Sequence, residues 1–391
     1  MKILHIAPNA PYNEGWSYQE NLLPKYQAWL GNDVTLIISN TTHEGSRVVE
    51  TKEETFRSKG GFKVIRLKRR KMNIPKIGSL FTKLENLYSY LLNLKPDFVF
   101  FHGLQSYSIL DVIRYKKEVS NNLIIVQDNH LDYNIGYKTG GLKENVLYFL
   151  CKWIYRYLNR KSIRFVSKVY GVTPWRKTYA EDFFGIPKAK TDVLIMGADD
   201  EKINFQERFV IRQRIREKYQ IGEEDFLVLS GGKIEGNKKL DLLIKACNGI
   251  PKLKLLLFGN IQESIKEEMD ELIRNAENTI YIGWIRADDF YDYCFAADLV
   301  AFPGQHSVLW EQACATKTPC IFSKWEGMDH VNNGGNSTFF ESLDVECMRK
   351  QICNSIFTEK YYEMKKIAES DKTDIYLYSN IAKKSLECAK K

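Results

Sequence analysis

The chain has 391 residues, of which 44% are hydrophobic, 13% aromatic and 27% charged, with a formal charge of +8. That length exceeds one ordinary core and suits two domains of roughly 150–200 residues each. The composition is that of a folded globular protein, and the charge excess is too small to make nucleic acid the first expected partner; a polyphosphate ligand or an anionic membrane surface accounts for it equally well.

The eight cysteines (Cys151, Cys247, Cys294, Cys314, Cys320, Cys347, Cys353 and Cys388) are scattered, with no CxxC pair. They read as reduced thiols, not as a disulfide frame or a zinc site. The amino-terminal apolar run is too short for the core of a signal peptide. No stretch reaches the roughly 18 uncharged apolar residues of a membrane span. The nearest, Val146 to Leu158, is broken by Lys152 and Arg156. A cytoplasmic location is therefore expected.

In chain order, strand-like and helix-like segments alternate, the pattern of parallel α/β layers. Lys2–Ala7 reads as a strand, Gln19–Leu30 as a helix, and Val34–Ser39 and Phe62–Leu67 as further strands. Phe98–His102 and Leu123–Gln127 are continuous apolar runs of the kind buried on both faces. The second half repeats the theme: strands at Phe226–Ser230, Lys254–Phe258, Thr279–Ile282, Leu299–Phe302 and Cys320–Phe322, and an amphipathic helix at Leu240–Ala246. Between the halves, Val193–Gly197 is followed by a charged run, which puts a linker near residues 196–206. Residues 375–391 look helical and basic.

Two strand-to-helix junctions in the second half carry chemistry. Ser230 to Leu240 (SGGKIEGNKKL) is a glycine turn with lysines, in which Gly232 lets backbone approach a ligand and the cations can clamp a diphosphate. Phe302 to Ala313 (FPGQHSVLWEQA) ends a strand in a Pro-Gly turn and opens a helix, whose free amides near Ser307 and Val308 suit a phosphate. In the first half, Gly15 lies in the loop after the first strand, followed by Trp16, and Asp128-Asn129-His130 follows an apolar strand.

The segments GGKIEGNKKLDLLIKA, VAFPGQHSVLWEQACATKTPCIF and GMDHVNNGGN resemble the C-terminal half of retaining family-4 glycosyltransferases of the bacterial cell-surface polysaccharide type. EGWSYQENLLPKYQAWLGNDVTLI and GVTPWRKTYAEDFFGIPKAKTDVLIMGAD resemble that family's first half, in the same order. The resemblance implies an α/β chain of GT-B fold: two Rossmann-like parallel-sheet domains facing a central cleft. Residues 1–200 would bind the acceptor and residues 201–374 the nucleotide sugar, with 375–391 left open to packing back on the first domain. It implies transfer of a sugar from a nucleotide-diphosphate donor to a glycan or lipid-linked acceptor, with retention.

The resemblance also implies roles for single residues. Lys233 stands where the family has an Arg, and Lys238 where it has its Lys; Lys239 is the alternative if the register is off by one. A Lys at the Arg position keeps the charge but loses the bidentate fork. Counting back from Pro319, the family's second Glu position falls on Gln312, beside Glu311, and either could meet the ribose diol. The first Glu position falls on Gly304, so the sugar-facing carboxylate is missing or replaced by His306 or Gln305. His130 resembles the active-site His; His102, Asp128, Asn129 and Trp16 are further cleft candidates. His5, His43 and His330 read as structural or surface residues. Asp199-Asp200 and Asp288-Asp289 lack the strand-end setting of a metal-binding pair, so neither a metal nor another cofactor is expected.

Two stretches mix basic with apolar and aromatic residues. Lys63–Lys76 contains Arg66, Lys68, Arg69, Arg70 and Lys71, followed by Ile74, Ile77, Leu80 and Phe81. Leu147–Arg164 mixes Tyr148, Phe149, Trp153, Tyr155 and Tyr157 with Lys152, Arg156, Arg160, Lys161 and Arg164. On helices, such interleaving suits peripheral contact with an anionic bilayer; the alternative is a solvated basic face over an ordinary core. Rival readings of the whole chain are a nucleotide-sugar epimerase or hydrolase and a non-catalytic nucleotide-sugar-binding protein.

Overall fold

The structure, a computed structural model, describes residues 1–45, 47–71, 81–134, 136 and 140–389. It divides into two units, Met1–Ile195 with Ile381–Lys391, and Met196–Asn380.

Unit 1 opens with β1 (Lys2–Ala7), α1 (Gln19–Trp29) and β2 (Asp33–Ser39). A hairpin of β3 (Thr41–Glu44) and β4 (Arg47–Glu50) follows, then β5 (Thr55–Arg57), β6 (Lys63–Leu67) and a small antiparallel pair, β7 (Arg69–Lys71) and β8 (Thr82–Leu84). Helices and strands then alternate: α2 (Leu87–Leu94), β9 (Phe98–Phe101), α3 (Ile109–Glu118), β10 (Ile124–Asn129), α4 (Leu142–Ser162), β11 (Lys168–Gly171), α5 (Pro174–Phe184) and β12 (Thr191–Val193). The main sheet runs β12-β11-β10-β9-β1-β2-β6-β5, parallel except for β5 against β6. The central strands are buried on both faces, which is why they read as unbroken apolar runs. Local signals set the helix ends: Thr173 caps α5 by accepting from the Arg176 amide, Pro174 follows it, and Gly185 stops the helix at φ 72°.

Unit 2 begins with α6 (Arg208–Lys218) and β13 (Phe226–Gly231), continues through α7 (Leu240–Cys247), β14 (Leu253–Phe258), α8 (Lys266–Arg274), β15 (Thr279–Tyr281) and α9 (Asp289–Ala296), and then through β16 (Leu299–Phe302), α10 (Leu309–Ala315) and β17 (Cys320–Ser323). It ends with β18 (Ser337–Phe340), α11 (Val345–Cys353) and α12 (Glu359–Ala368). The boundary with unit 1 falls inside α13 (Tyr378–Ser385). The sheet order is β15-β14-β13-β16-β17-β18, all parallel. Each unit is thus a Rossmann-like parallel sheet with its own apolar core.

Both sheets have a switch point, where strand order runs outward in opposite directions: between β1 and β9 in unit 1, and between β13 and β16 in unit 2. In open α/β sheets, ligands bind beyond the carboxyl ends of strands at such a point. His102 directly follows β9, the Gly231-Gly232-Lys233 turn ends β13, and Pro303-Gly304 follows β16.

The basic stretch from Lys63 begins in the strand expected at Phe62–Leu67 and does not form a basic helix face over its described part. Its described part forms strands β6 and β7, and Arg66 is buried. The Arg66 guanidinium donates to the carbonyls of Tyr12 (3.0 Å) and Thr41 (3.1 Å) and pairs with Glu54, so it ties loops together instead of facing solvent. Phe81 packs against the core. Ile74, Ile77 and Leu80 lie outside the described residues. Among the described residues, no helix is long and apolar enough to cross a membrane.

The glycines after β13 and β14 allow two backbones to touch. Gly259 has φ 118°, and a Cβ there would fall 1.7 Å from the Gly232 carbonyl oxygen. Gly259→Ala is therefore expected to cost unit 2 roughly 2 kcal/mol or more, because neither backbone can retreat. Chemical denaturation followed by tryptophan fluorescence reads this; an unchanged midpoint would contradict the close approach.

Candidate functional site

The strand ends at the unit 2 switch point enclose a cavity of about 100 Å³. Its walls include Gly231, Gly232, Lys233 and Lys238 from the first junction, and Gly304, Gln305 and Ser307 from the second. The two junctions are laced together: the Gln305 amide donates to the Asn237 carbonyl (3.1 Å), and Asn237 Nδ2 donates to Gln305 Oε1 (2.9 Å). Gly304 lies so close that a Cβ would sit 2.2 Å from Lys238 Cα. That contact explains the glycine where the resemblance leads one to expect a carboxylate.

Lys238 is half-buried and donates from Nζ to the Gln305 carbonyl (2.7 Å). Burial lowers its pKa from the ordinary lysine value. An ammonium has three N–H donors, so an anion in the cavity can take what that carbonyl leaves. Lys233 is largely exposed, and its Nζ pairs with Glu235 Oε1 at 2.5 Å. Such an exposed pair contributes little and yields readily to a ligand phosphate. The cavity lining contains no carboxylate.

Several expected donor-site residues lie elsewhere. Lys239 is exposed and off the cavity; its φ of 55° makes it a left-handed residue before α7, the conformation that a glycine adopts more cheaply. Val308 also lies off the cavity wall, and α10 starts one residue after it. Gln312 is buried and does not line the cavity. Glu311 does not line it either. It is fully buried, and its Oε1 accepts from His306 Nε2 (2.9 Å) and His330 Nε2 (2.7 Å). A histidine clasp thus holds one oxygen of Glu311, and His330, read as a structural or surface residue, is one arm of it. His306 serves this clasp instead of replacing the missing carboxylate.

Sequence reading missed a second cavity of about 450 Å³ beside Lys233. It is walled by Gly259, Asn260, Trp284, Ile285, Arg286 and Phe290. The signal was the turn Gly283-Trp284-Ile285-Arg286 directly after a strand, an exposed aromatic next to a cation.

In unit 1, a hydrogen-bonded row runs through the switch point. His102 Nδ1 donates to Asp128 Oδ2 (2.8 Å), and the Gly103 amide donates to Asp128 Oδ1 (2.8 Å). His102 Nε2 lies 3.1 Å from His5 Nδ1, and His5 Nε2 lies 2.7 Å from Gln27 Oε1. Gln27 in turn donates to Ser385 Oγ (2.8 Å). Burial lowers the His5 pKa to about 3, keeping it neutral. Burial also opposes charge on His102, but the Asp128 carboxylate overrides it and raises the His102 pKa. Neutral His5 donates from Nε2 to Gln27 Oε1 and so accepts at Nδ1 from His102 Nε2, while His102 Nδ1 faces the Asp128 carboxylate. For Asp128, burial opposes ionisation, while His102 and then His130 hold its pKa well below the usual carboxylate range.

His130 Nε2 lies 3.3 Å from Asp128 Oδ2, and its side chain is 34% exposed. It is the member of this row that solvent reaches. His102 and Asp128, expected at the cleft, are buried supports for it. Asn129 is buried too, its Nδ2 spent on the carbonyls of Leu131 (2.7 Å) and Arg176 (2.8 Å), so it braces a loop. Glu20, in the first turn of α1, was not anticipated; its carboxylate comes within 4.8 Å of the ligand atoms of His102 and His130. Gly15 takes φ 80° in open space, and Trp16 stacks on His43 at 5.0 Å.

Among the described residues, two clusters have metal-type donors, Glu20–His102–His130 and His306–Glu311–His330. In the second, the separations of 2.7 and 2.9 Å are those of donor and acceptor. Ligands around one zinc ion at about 2.0–2.1 Å would stand further apart.

For Glu311, burial opposes ionisation, and His306 and His330 nonetheless hold its pKa at about 2. A folded pKa below the ordinary value near 4.5 contributes stability above that value and loses it as pH falls towards about 2. Unit 2 is therefore expected to weaken between about pH 4.5 and pH 2. Glu311→Gln should destabilise it by roughly 3 kcal/mol at neutral pH and flatten this acid limb. Thermal unfolding against pH checks both; an acid limb unaltered by the substitution would contradict the clasp.

No curated protein sequence matches the chain. Residues 211–366 match a family model described as glycosyl transferases group 1, a span of less than half the chain. Among solved structures, the chain is similar to a glycosyltransferase from Rickettsia africae, with 15% identity, 100% of this chain and 97% of the other covered, and a TM-score of 0.68. It is similar to HepE from Anabaena in complex with UDP, with 16% identity, full coverage of both chains and a TM-score of 0.67. It is also similar to a UDP-GlcNAc 2-epimerase from Neisseria meningitidis, with 13% identity, 100% and 99% coverage and a TM-score of 0.59. At such identities the likeness concerns the fold. The chain has the GT-B architecture, and its residues 211–366 match the group 1 glycosyltransferase model.

Proposed function

We propose that the protein transfers a sugar from a nucleotide-diphosphate donor to a glycan or lipid-linked acceptor, with retention, in cell-surface polysaccharide synthesis, and without a metal or other cofactor. The observation that carries the proposal is the cavity at the unit 2 switch point, which the half-buried Lys238 and three glycines line and whose only neighbouring carboxylate among the described residues, Glu235, is paired with Lys233 off the cavity wall. The donor diphosphate lies there, against Lys238, Lys233 and the Gly232 backbone, with Ser307 at the opposite wall. The nucleoside extends into the neighbouring cavity, with Trp284 as a stacking platform and Arg286 beside it. The structural likeness to HepE in complex with UDP supports a nucleotide in this unit.

As the glycosidic bond to the diphosphate breaks, negative charge grows on the leaving phosphate. Fixed cations in a partly desolvated place stabilise that charge without reorganising, and this supplies most of the acceleration. In unit 1, His130 is the active-site histidine of this reading, held in orientation by Asp128, which His102 holds in turn. A lipid-linked acceptor would place the work at the inner face of the plasma membrane. Epimerisation would need a carboxylate poised to take a proton from the sugar; the lining has none, which favours transfer.

Lys238→Ala is expected to cut turnover by about 10²-fold or more, since a cation that stabilises the leaving group acts in the transition state. Release of nucleoside diphosphate from a donor and acceptor panel, run in excess chelator, measures it. Wild-type turnover should persist under those conditions. Near-normal rates in the variant, or a rate restored only by magnesium, would reject the mechanism.

A further inference from the structure

Among the described residues of unit 1, α4 is the one helix that turns a row of large apolar side chains to solvent. Leu142 is 83% exposed, Val146 61%, Phe149 63%, Trp153 70% and Tyr157 53%. At 100° per residue these five fall within an arc of about 80°. The opposite face, with Cys151, Ile154, Tyr155 and Leu158, is packed into the unit 1 core. The exposed row is therefore not a core stripe left open by mistake: the helix already has its core face. Scattered exposed apolar residues are ordinary, but a contiguous row with an indole, a phenyl and a phenol marks a surface that something covers.

The charges beside the row say what covers it. Lys152 and Arg156 lie along one flank, Lys143 and Lys161 along the other, Arg160 lies within the row near its carboxyl end, and Glu144 is the sole acid within the helix. The carboxylate of Asp182, on neighbouring α5, is occupied by the Tyr133 hydroxyl. Trp153 and Tyr157 stack at 6.2 Å, and together with Arg156, Arg160, Phe184 and Gly185 they wall a cavity of about 350 Å³. Aromatic rings with a basic rim fit a bilayer interface, where the rings sink to headgroup depth and the cations meet lipid phosphates. A protein partner or a second copy of this chain would need acidic groups opposite the rim and an apolar face of its own; the α4 surface, nearly free of acid, is not self-complementary.

We propose that α4 lies flat on an anionic lipid surface, with Phe149 and Trp153 inserted and Arg160 and Lys161 on lipid phosphates. This docking stands apart from the sugar-transfer reading, because it uses none of the residues assigned to the donor or to His130.

Co-sedimentation of the full chain with vesicles tests it. Phosphatidylcholine vesicles containing about a third phosphatidylglycerol should pull the protein down, pure phosphatidylcholine should do so at least about tenfold less, and binding should fall as salt rises. Phe149→Ser with Trp153→Ser, and separately Arg160→Glu with Lys161→Glu, should each reduce binding about tenfold or more. The second pair is exposed and leaves the core face untouched, so it keeps the test sound should the first fail to fold; circular dichroism and the thermal midpoint verify folding. Equal binding to neutral and anionic vesicles, or variants that bind as the wild type does, would overturn the proposal. So would a solution dimer that dissociates on the Phe149→Ser, Trp153→Ser change, since the face would then belong to a second copy.

Discussion

Lys238 carries an ammonium into a cavity whose walls offer carbonyls and glycine backbone but no carboxylate. A cation taken partly out of water in this way is costly unless an anion completes its shell. The rest of unit 2 is arranged around that constraint. Gly231, Gly232 and Gly259 let strand ends approach closely, Gly304 lets the second junction lie on the Lys238 backbone, and the His306–Glu311–His330 clasp holds the segment just beyond. Glu311 is held within the clasp and off the cavity wall, so it does not meet a ligand at Lys238.

Unit 1 uses the same switch-point geometry for another purpose. There the strand ends carry imidazoles, and burial sorts them. His5 is kept neutral, Asp128 raises the His102 pKa against its burial, and His130 is left at the solvent edge. The row reaches Ser385 through Gln27, so the last turns of the chain are tied to the histidines by hydrogen bonds within the unit. Asp128 carries the arrangement, since it receives His102, His130 and the Gly103 amide together.

Much of the fold was legible because parallel strands buried on both faces leave continuous apolar runs. β1, β9 and β16 coincide with such runs to within a residue. β11 and β18 went unread: each has four residues, and the polar Lys168 and Ser337 at their starts break the pattern. For the candidate site, the residues showed a glycine turn with lysines, and the family resemblance singled out Lys238, with Lys239 as the other register. The fate of Glu311 could not be read from the sequence. Its partners His306 and His330 lie five and nineteen residues away, and only folding shows that one carboxylate oxygen serves both. Nor does charge density tell Arg66, buried under two backbone carbonyls, from Arg160 on an open helix face. Interleaved basic and aromatic residues say that a segment is amphipathic, and only the packing says which side is already taken.

The central claim is that unit 2 grips a nucleoside diphosphate through Lys238. A thermal-shift screen of the full chain against UDP-, GDP-, dTDP- and ADP-sugars, run beside Lys238→Ala, tests it most directly. The account predicts that one nucleotide class raises the unfolding midpoint of the wild type, that the matching nucleoside without phosphates does not, and that the variant loses the shift. Stabilisation by none of the four, or a shift that survives in Lys238→Ala, would contradict it.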